Sequence, residues 1–511
     1  MGYLEALTAR LETGPAPSKD ELHRLKVQLA REWKLPRVPA DSEILASLPE
    51  DARLRLRPVL QVKPVRTRSG VAVIAAMTAP EACPHGTCTF CPGGPRFGTP
   101  QSYTGKEPAA MRGRQHAYDP TAQVAARLEQ LRRNGHDTDK VDLIIEGGTF
   151  TAHAPDYREA FVKGCFDALN GFVSPDLESA HTANETAAAR CIGLTVETKP
   201  DCFLTDEIVR DTMRLGTTRV ELGVQSTYDD VLKATNRGHA VADSIEATRR
   251  AKDAGLKVCY HLMPGLPGTT RDMDVENFRR VFGDPDFRPD MLKIYPTVVV
   301  AGTALYNQWR LGKYKPLDTE DVVDLLAEVK ALVPPWVRIQ RIQREINVPD
   351  VQAGPRSGNM RELAQRRMVE RGTRCRCLRC REVGSRTGSP DLAVKRTDYT
   401  ASGGHEVFLS FEDEVDTVYA YARLRVCASG AFLRELKVYG QVVPIGEGAG
   451  RRWQHRGLGG QLLAECMGIA CNEFSWDTLQ VTSGVGVRLY YRRFGGERLG
   501  QYMAVKLRPT P

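Results

Sequence analysis

The chain offers nothing long and apolar enough to cross a bilayer. Its longest unbroken hydrophobic run is Val71–Met77, seven residues out of 511, against the roughly 20 that a spanning helix needs. The opening residues, MGYLEALTARLETG, carry no basic segment followed by an apolar stretch, so a cytoplasmic, membrane-free protein is expected. Internal repeats and low-complexity tracts are missing too, which sets aside solenoids and biased tails. A hydrophobic fraction of 41% with 26% charged residues argues against wholesale disorder, and the length implies about two to four domains.

A reducing compartment leaves little room for disulfides, yet the chain has 13 cysteines. Clustered cysteines in that setting point to metal. Cys83, Cys88 and Cys91 form one tight group and Cys375, Cys377 and Cys380 another; the other seven are scattered and read as small core residues. Acid is scarce in two places. Arg338–Arg381 holds twelve Arg against four acids, +8 in 44 residues, and Arg53–Arg68 holds six basic residues and no acid. Such islands suggest a polyanionic partner, and the exclusive use of Arg in the larger one favours phosphate. The plainer reading is solvated surface charge.

Four regions follow from the patterning. Residues 1–60 mix helical periodicity (ELHRLKVQLAREW) with prolines and read as a small helical segment. Residues 61–333 alternate short β-branched runs (Val71–Met77, Val141–Ile145, Cys191–Val196, Arg219–Val224, Lys257–Met263, Met291–Tyr295) with amphipathic stretches, the pattern of βαβ units. Six such strands predict an α/β domain built as a partial (β/α)6 barrel. Residues 334–390, rich in Arg, Gly and Pro, read as a connector stapled by the second cysteine group. Residues 391–511 turn antiparallel at 405–412, 417–426 and 431–440, then predict a helix at 457–473, a strand at 477–482 and a short helix at 486–493.

Two constellations carry chemistry. The first, Cys83-Pro-His-Gly-Thr-Cys88-Thr-Phe-Cys91, follows the first strand. Three thiolates on one loop can hold three irons of a [4Fe–4S] cluster and leave the fourth open to a ligand. Zinc competes as a reading, with His85 able to complete the set. Gly147-Gly148-Thr149 follows the second strand, where glycines let backbone N–H groups approach a carboxylate or amine; alone it is only a turn. The loop, the GGT and the strand alternation together resemble the radical S-adenosylmethionine superfamily, although the first cysteine gap has four residues where the commonest form has three. That resemblance implies a [4Fe–4S] cluster and S-adenosylmethionine, chelated by the open iron and cleaved to a 5′-deoxyadenosyl radical. Glu197, Lys199, Gln225 and Lys293, near the carboxyl ends of strands, become candidates to contact it or a substrate base.

The second constellation, Gln454-His455-Arg456-Gly457-Leu458-Gly459-Gly460, opens a helix after a strand, so that N–H groups and the helix N-terminus can face a pyrophosphate. The order of elements around it resembles the GNAT acetyltransferases. That implies acetyl-CoA binding, with Glu435, Leu436, Lys437 and Val438 along the pantetheine arm and Tyr490, followed by Tyr491, near the thioester; plain core packing is the alternative for the tyrosine pair.

The pairing of these two halves, with the strings CPGGP (91–95), QSYTGKEP (101–108), VETKPD (196–201), ELGVQS (221–226), MPGLPG (263–268), RELKVYG (434–440) and GVRLYYRRFG (486–495), resembles the family of the catalytic subunit of Elongator. The resemblance spans residues 80–500. It implies a tRNA-modifying enzyme that installs a carboxymethyl group on C5 of the wobble uridine, the radical activating the acetyl methyl group. It gives Lys140 a role toward acetyl-CoA and assigns catalysis to Lys140, Tyr490 and Tyr491. It further implies tRNA contact through the anticodon stem-loop, made by the N-terminal segment and the Arg-rich connector, and an electron donor. Cys375, Cys377 and Cys380 are read as a structural zinc staple lacking an identified fourth ligand, a second Fe–S site being the alternative. The oligomeric state is left open, a homodimer included. Two rivals remain: a protein lysine acetyltransferase whose first domain is structural, and a non-catalytic RNA-binding scaffold.

Overall fold

Strands buried on one face and charged on the other need helices on one side and a lined cavity on the other. The computed structural model, which describes residues 2–12, 17–67, 69–384, 386, 390–440 and 456–507, has this arrangement. Its first sheet contains β1 (Ala72–Met77), β2 (Lys140–Glu146), β3 (Arg190–Thr198), β4 (Arg219–Gln225), β5 (Lys257–Leu262), β6 (Met291–Ile294) and, after a two-residue strand β7 (Val299–Val300), β8 (Arg338–Ile342). The order is β1-β2-β3-β4-β5-β6-β8, every neighbour parallel. Val141, Leu143 and Ile145 point outward with Leu194, Val196, Val220 and Leu222 into a core shared with Phe161, Val162 and Phe166 of the covering helices. The alternate residues, Asp142, Glu146, Glu197, Arg219, Glu221 and Lys293, share the opposite, inner face.

Seven strands form where six were expected. The seventh, RIQRI, lies inside the segment read as a connector, because arginines at its inner-face positions mask the alternation that marks the others. Residues 351–370 of that segment are also built onto the barrel, whereas Leu378 and Val383 pack into the core of the second domain. β9 (Val351–Ala353) pairs antiparallel with β7, and Met360 and Ala364 of the helix Met360–Glu370 enter the barrel core beside Val322 and Leu326.

The N-terminal region is four helices, α1 (Tyr3–Glu12), α2 (Lys19–Glu32), α3 (Asp41–Ser47) and α4 (Glu50–Leu60), around a core of its own that includes Leu7, Leu29, Ile44 and Leu56. Ser18 and Glu21 close a capping box on α2. Arg57 fastens the bundle to the barrel through Asp137, at 2.5 Å, and the Gly135 carbonyl.

The second sheet runs β10 (Ala393–Ala401), β11 (Gly404–Glu412), β12 (Val418–Cys427), β13 (Gly430–Val438), β14 (Thr478–Val481), β16 (Tyr502–Lys506) and β15 (Glu497–Leu499). β10 and the final hairpin are additions to the expected strands. β10 to β13 are antiparallel; β13 and β14 are parallel but pair only at Ala431, Phe432 and Leu433. Beyond Leu433 the two strands part, which leaves one backbone edge of 434–438 without a strand partner among the described residues.

A buried ionic network joins the two sheets. Arg434 contacts Asp290 of the barrel through both terminal nitrogens, each at 2.7 Å, and Glu406 at 2.6 Å; Arg425 contacts Asp253 and Glu406 at 2.5 and 2.9 Å. Burial opposes ionisation of Asp290, but Arg434 and Lys252 override it and hold the carboxyl well below the usual range. Among the described residues, no helix is long and apolar enough to cross a membrane.

Candidate active site

The loop after β1 carries its three cysteines over the carboxyl ends of the strands, where they line a pocket of about 1020 Å³ including its mouth. Cys88 and Cys91 are buried and Cys83 is half-buried. Each sulfur has a polar neighbour: Thr149 Oγ1 at 3.5 Å from Cys83, Ser102 Oγ at 2.8 Å from Cys91, and His85 Nε2 at 3.2 Å with Arg237 at 3.5 Å from Cys88. Burial pushes the Cys83 and Cys91 thiols up. Thiolates there therefore need a bound cation.

Sulfur spacing separates the two cysteine groups. Cys375, Cys377 and Cys380 bring their sulfurs within 4.8 Å of one another. A single tetrahedral ion with bonds of about 2.3 Å puts its sulfurs about 3.8 Å apart. Cys83, Cys88 and Cys91 do not close to 4.8 Å; their donor set suits a larger group. His85 is engaged through both ring nitrogens. Lys199 Nζ donates to its Nδ1 at 2.8 Å, so the ring hydrogen lies on Nε2 and points at Cys88. Burial, then Lys199 and Arg237, hold the imidazole neutral with a pKa of about 4.

The glycines of the GGT are dictated by the fold itself. Gly147 has φ +147°, and a Cβ there would lie 1.8 Å from Thr78 Oγ1; Gly148 has φ +97°. Across the pocket stands a polar wall. Tyr103 donates to Glu197 at 3.2 Å, Lys293 bridges Glu197 at 3.3 Å and Glu221, and His261 lies 2.7 Å from Glu221. Burial and then Glu197 push Glu146 up to about 8. Gln225 also lines the pocket at φ +66°, with its side-chain carbonyl unpartnered. Sequence reasoning found Glu197, Lys293 and Gln225 but missed Glu146, Glu221, His261 and Tyr103. The available signal was a single charge at the inner position of an apolar strand, as in LIIE.

Lys140 sits elsewhere. It begins β2, six residues before Glu146, or about 20 Å along the strand. This is the barrel end against which the second domain packs: a Cβ on Gly486 would lie 2.5 Å from Arg190 Cβ, and Arg190 is the register partner of Lys140. Between the two ends, Lys140, Asp142, Ile144 and Glu146 are all partly exposed, and Val73 on β1 is 47% exposed. The inner face of β2 thus forms a groove that is partly open at each of these four positions.

At the near end of that groove the second constellation assembles. Glu435, Leu436, Lys437 and Val438 are half-buried along the unpaired edge of β13. Gly457 takes φ +85° and caps the helix Leu458–Gly468. Gly459 faces Tyr490 and Val438, where an added Cβ would lie 3.0 Å from the Tyr490 hydroxyl; Gly460 faces Phe494. Tyr490 is partly exposed, whereas Tyr491 is buried in the domain core with its ring edge-on to Tyr490. Of the pair, Tyr490 is thus the one placed to meet a ligand. Arg456 is half-buried; Gln454 and His455 lie outside the described residues.

The arginine island is less free than its charge suggests. Arg338, Arg341, Arg367, Arg371, Arg374, Arg376 and Arg381 all pair with carboxylates. Arg344, Arg356, Arg361, Arg366 and Arg379 have no carboxylate partner among the described residues. In the first island Arg53 is bonded to a backbone carbonyl and Arg57 to Asp137, so both serve the helical bundle; Arg68 lies outside the described residues.

Comparison with known proteins matches the Radical SAM superfamily model at residues 77–281, the Radical_SAM C-terminal domain at 289–370 and the ELP3 N-terminal domain at 3–68. The chain is 44% identical to the tRNA uridine(34) acetyltransferase of Methanocaldococcus jannaschii, across 98% of this chain and 96% of that one. It is 42% identical to Elongator complex protein 3 of Homo sapiens, across 96% and 93%. The solved structure of archaeal Methanocaldococcus infernus Elp3 with an N-terminal deletion (1–46) superposes with a TM-score of 0.76 at 41% identity, over 86% of this chain and 99% of that chain.

Proposed function

The chain belongs to the family of the tRNA uridine(34) acetyltransferases and Elongator complex protein 3, and on that premise we propose that it is the enzyme that carboxymethylates C5 of the wobble uridine in tRNA, with acetyl-CoA as carbon source. The observation that carries this reading is the groove. The partly exposed inner face of β2, about 20 Å long, joins the three-thiol pocket at Glu146, and its Asp142 lies within electrostatic reach of Lys437 on β13.

The residues present fit the groups the family implies. Three thiols spaced more widely than a single ion needs, with Arg237, Lys199 and His85 around them, suit an anionic [4Fe–4S] cluster. Bound there with S-adenosylmethionine, the cluster supplies a radical able to take hydrogen from a C–H bond too weakly acidic for a protein base. The chain's own residues do the rest. Cys83, Cys88 and Cys91 hold the iron, and the backbone at Gly147-Gly148-Thr149 offers N–H groups beside Cys83. Glu197, Lys293 and Tyr103 present donors and acceptors to a base turned out of the anticodon loop.

At the other end, the free edge of Glu435–Val438 offers N–H and C=O groups to a pantetheine amide. The N-terminus of the helix at Gly457 faces the pyrophosphate, Lys140 lies near the acyl end, and Tyr490 donates toward the thioester. Cys375, Cys377 and Cys380 hold one zinc ion and pin the helix Met360–Glu370 to β8. The exposed arginines of that segment contact backbone phosphates of the anticodon stem-loop. A lysine acetyltransferase would need a general base beside Tyr490; among the described residues the charged group acting on that tyrosine is Arg493, a cation. The test is anaerobic reconstitution with iron, sulfide, S-adenosylmethionine, dithionite, acetyl-CoA and unmodified tRNA. The nucleosides should contain 5-carboxymethyluridine, lost in Cys88→Ala. Cofactor cleavage without a modified uridine would point to another substrate.

A further inference from the structure

Arg237 is a buried cation whose partner the described residues do not supply. It is 8% exposed, and no carboxylate lies within ion-pair distance. Its Nε and one terminal nitrogen donate to the Gly223 carbonyl at 3.2 and 2.7 Å, which fixes the plane of the guanidinium. The remaining nitrogen reaches Cys88 Sγ at 3.5 Å. A buried guanidinium without a counter-ion is costly, so a negative group belongs beside it.

Cys88 has a second donor. Asp201 holds Lys199 at 3.0 Å, Lys199 donates to His85 Nδ1 at 2.8 Å, and His85 Nε2 donates to the sulfur at 3.2 Å. Lys199, at the centre of this relay, is 1% exposed, and His85 and Asp201 on either side of it are half-buried. Cys83 and Cys91 each have a neutral hydroxyl neighbour instead. The cationic donor and the lysine-backed donor converge on one cysteine of the three.

We propose that Arg237 and the Asp201–Lys199–His85 relay are positioning residues that set the reduction potential of the iron–sulfur cluster through Cys88. The inference rests on the cluster assigned above and is independent of the RNA substrate. Hydrogen bonds and positive charge at a cluster sulfur favour the reduced, more negative state and raise the potential. The couple concerned is the one-electron reduction of the reconstituted cluster, with dithionite as the electron source.

The experiment is an anaerobic redox titration followed by electron paramagnetic resonance, with iron and sulfide analysis, on the full chain without tRNA or acetyl-CoA. Arg237→Lys, which keeps the charge, should stay near the parent midpoint. Arg237→Met should move it to lower potential or fail to retain iron. His85→Phe, which removes the second donor and keeps a ring, should also lower it, by less. A parent-like midpoint and full iron in Arg237→Met would overturn the proposal. So would Arg237→Lys behaving like Arg237→Met, which would make the guanidinium a brace for Gly223 and not a charge on the cluster. A missing carboxymethyluridine product would leave these midpoints readable, so the two readings fail separately.

Discussion

Replacing Arg356, Arg366 and Arg379 together by Gln should weaken tRNA binding and flatten its salt dependence. All three are exposed and have no carboxylate partner among the described residues. Each phosphate contact contributes about 0.7 to 0.9 to the slope of log K against log salt, so losing three should reduce the slope by about 2 to 3. The matched control removes the same charge from Arg367, Arg371 and Arg376, whose partners are Glu320, Asp324 and Asp416. These guanidiniums are already held by carboxylates, and their loss should flatten the slope by about 1 at most. Fluorescence anisotropy of labelled tRNA between 50 and 200 mM salt (about the range over which a multi-phosphate contact is resolved) reads both. Equal flattening in the two triples would mean that net charge alone drives binding. An unchanged slope in the first would remove this segment from the RNA path.

Three further outcomes follow from the geometry. A Cys83/Cys88/Cys91→Ala triple variant should retain about one zinc per chain by elemental analysis, because the second trio is closed on itself; iron at that level would make the second site another cluster. Arg434→Met should cost about 3 kcal/mol, read as a shift of the urea transition, since it takes the two-pronged partner from Asp290 and leaves it only Lys252 and Arg423 at 3.6 and 3.7 Å; a shift below about 1 kcal/mol would mean that those two cations replace the guanidinium. Glu146, raised to about 8 in the fold, binds its proton more tightly there than in the unfolded chain. The apoprotein should therefore lose stability as pH rises from the ordinary carboxyl range through about 8, and Glu146→Gln should flatten that decline; an identical pH profile in the variant would show that Glu146 is solvated.

The barrel was legible because outward-facing residues of a parallel strand form near-continuous apolar runs, and six were read that way. β8 was hidden because its inner positions carry Arg338 and Arg341 and its burial comes from β6 and the helix Met360–Glu370. The cysteine loop and the GGT were legible as motifs, but their reasons differ: Gly147 is required by Thr78, a contact from a distant segment. The polar wall was legible only in part, since Glu146, Glu221 and His261 acquire meaning when three strands align. Counting charge located the arginine island and overstated its freedom, because most of its carboxylates, Glu320, Asp324, Glu382, Glu412 and Asp416, lie outside it in sequence. Adjacent tyrosines look equivalent in a string; burial separates Tyr490 from Tyr491.

If the two ends of the groove serve one reaction, the methyl hydrogens of acetyl-CoA can be counted in the modified uridine. Acetyl-CoA carrying a fully deuterated methyl should be supplied to the reconstituted protein with unmodified tRNA, and the digested nucleosides weighed by mass spectrometry. The product should be 5-carboxymethyluridine that keeps two of the three deuteriums, formed by the parent and lost in both Cys88→Ala and Tyr490→Phe. Unlabelled product, or product that persists in Tyr490→Phe with acetyl-CoA omitted, would contradict a single shared reaction.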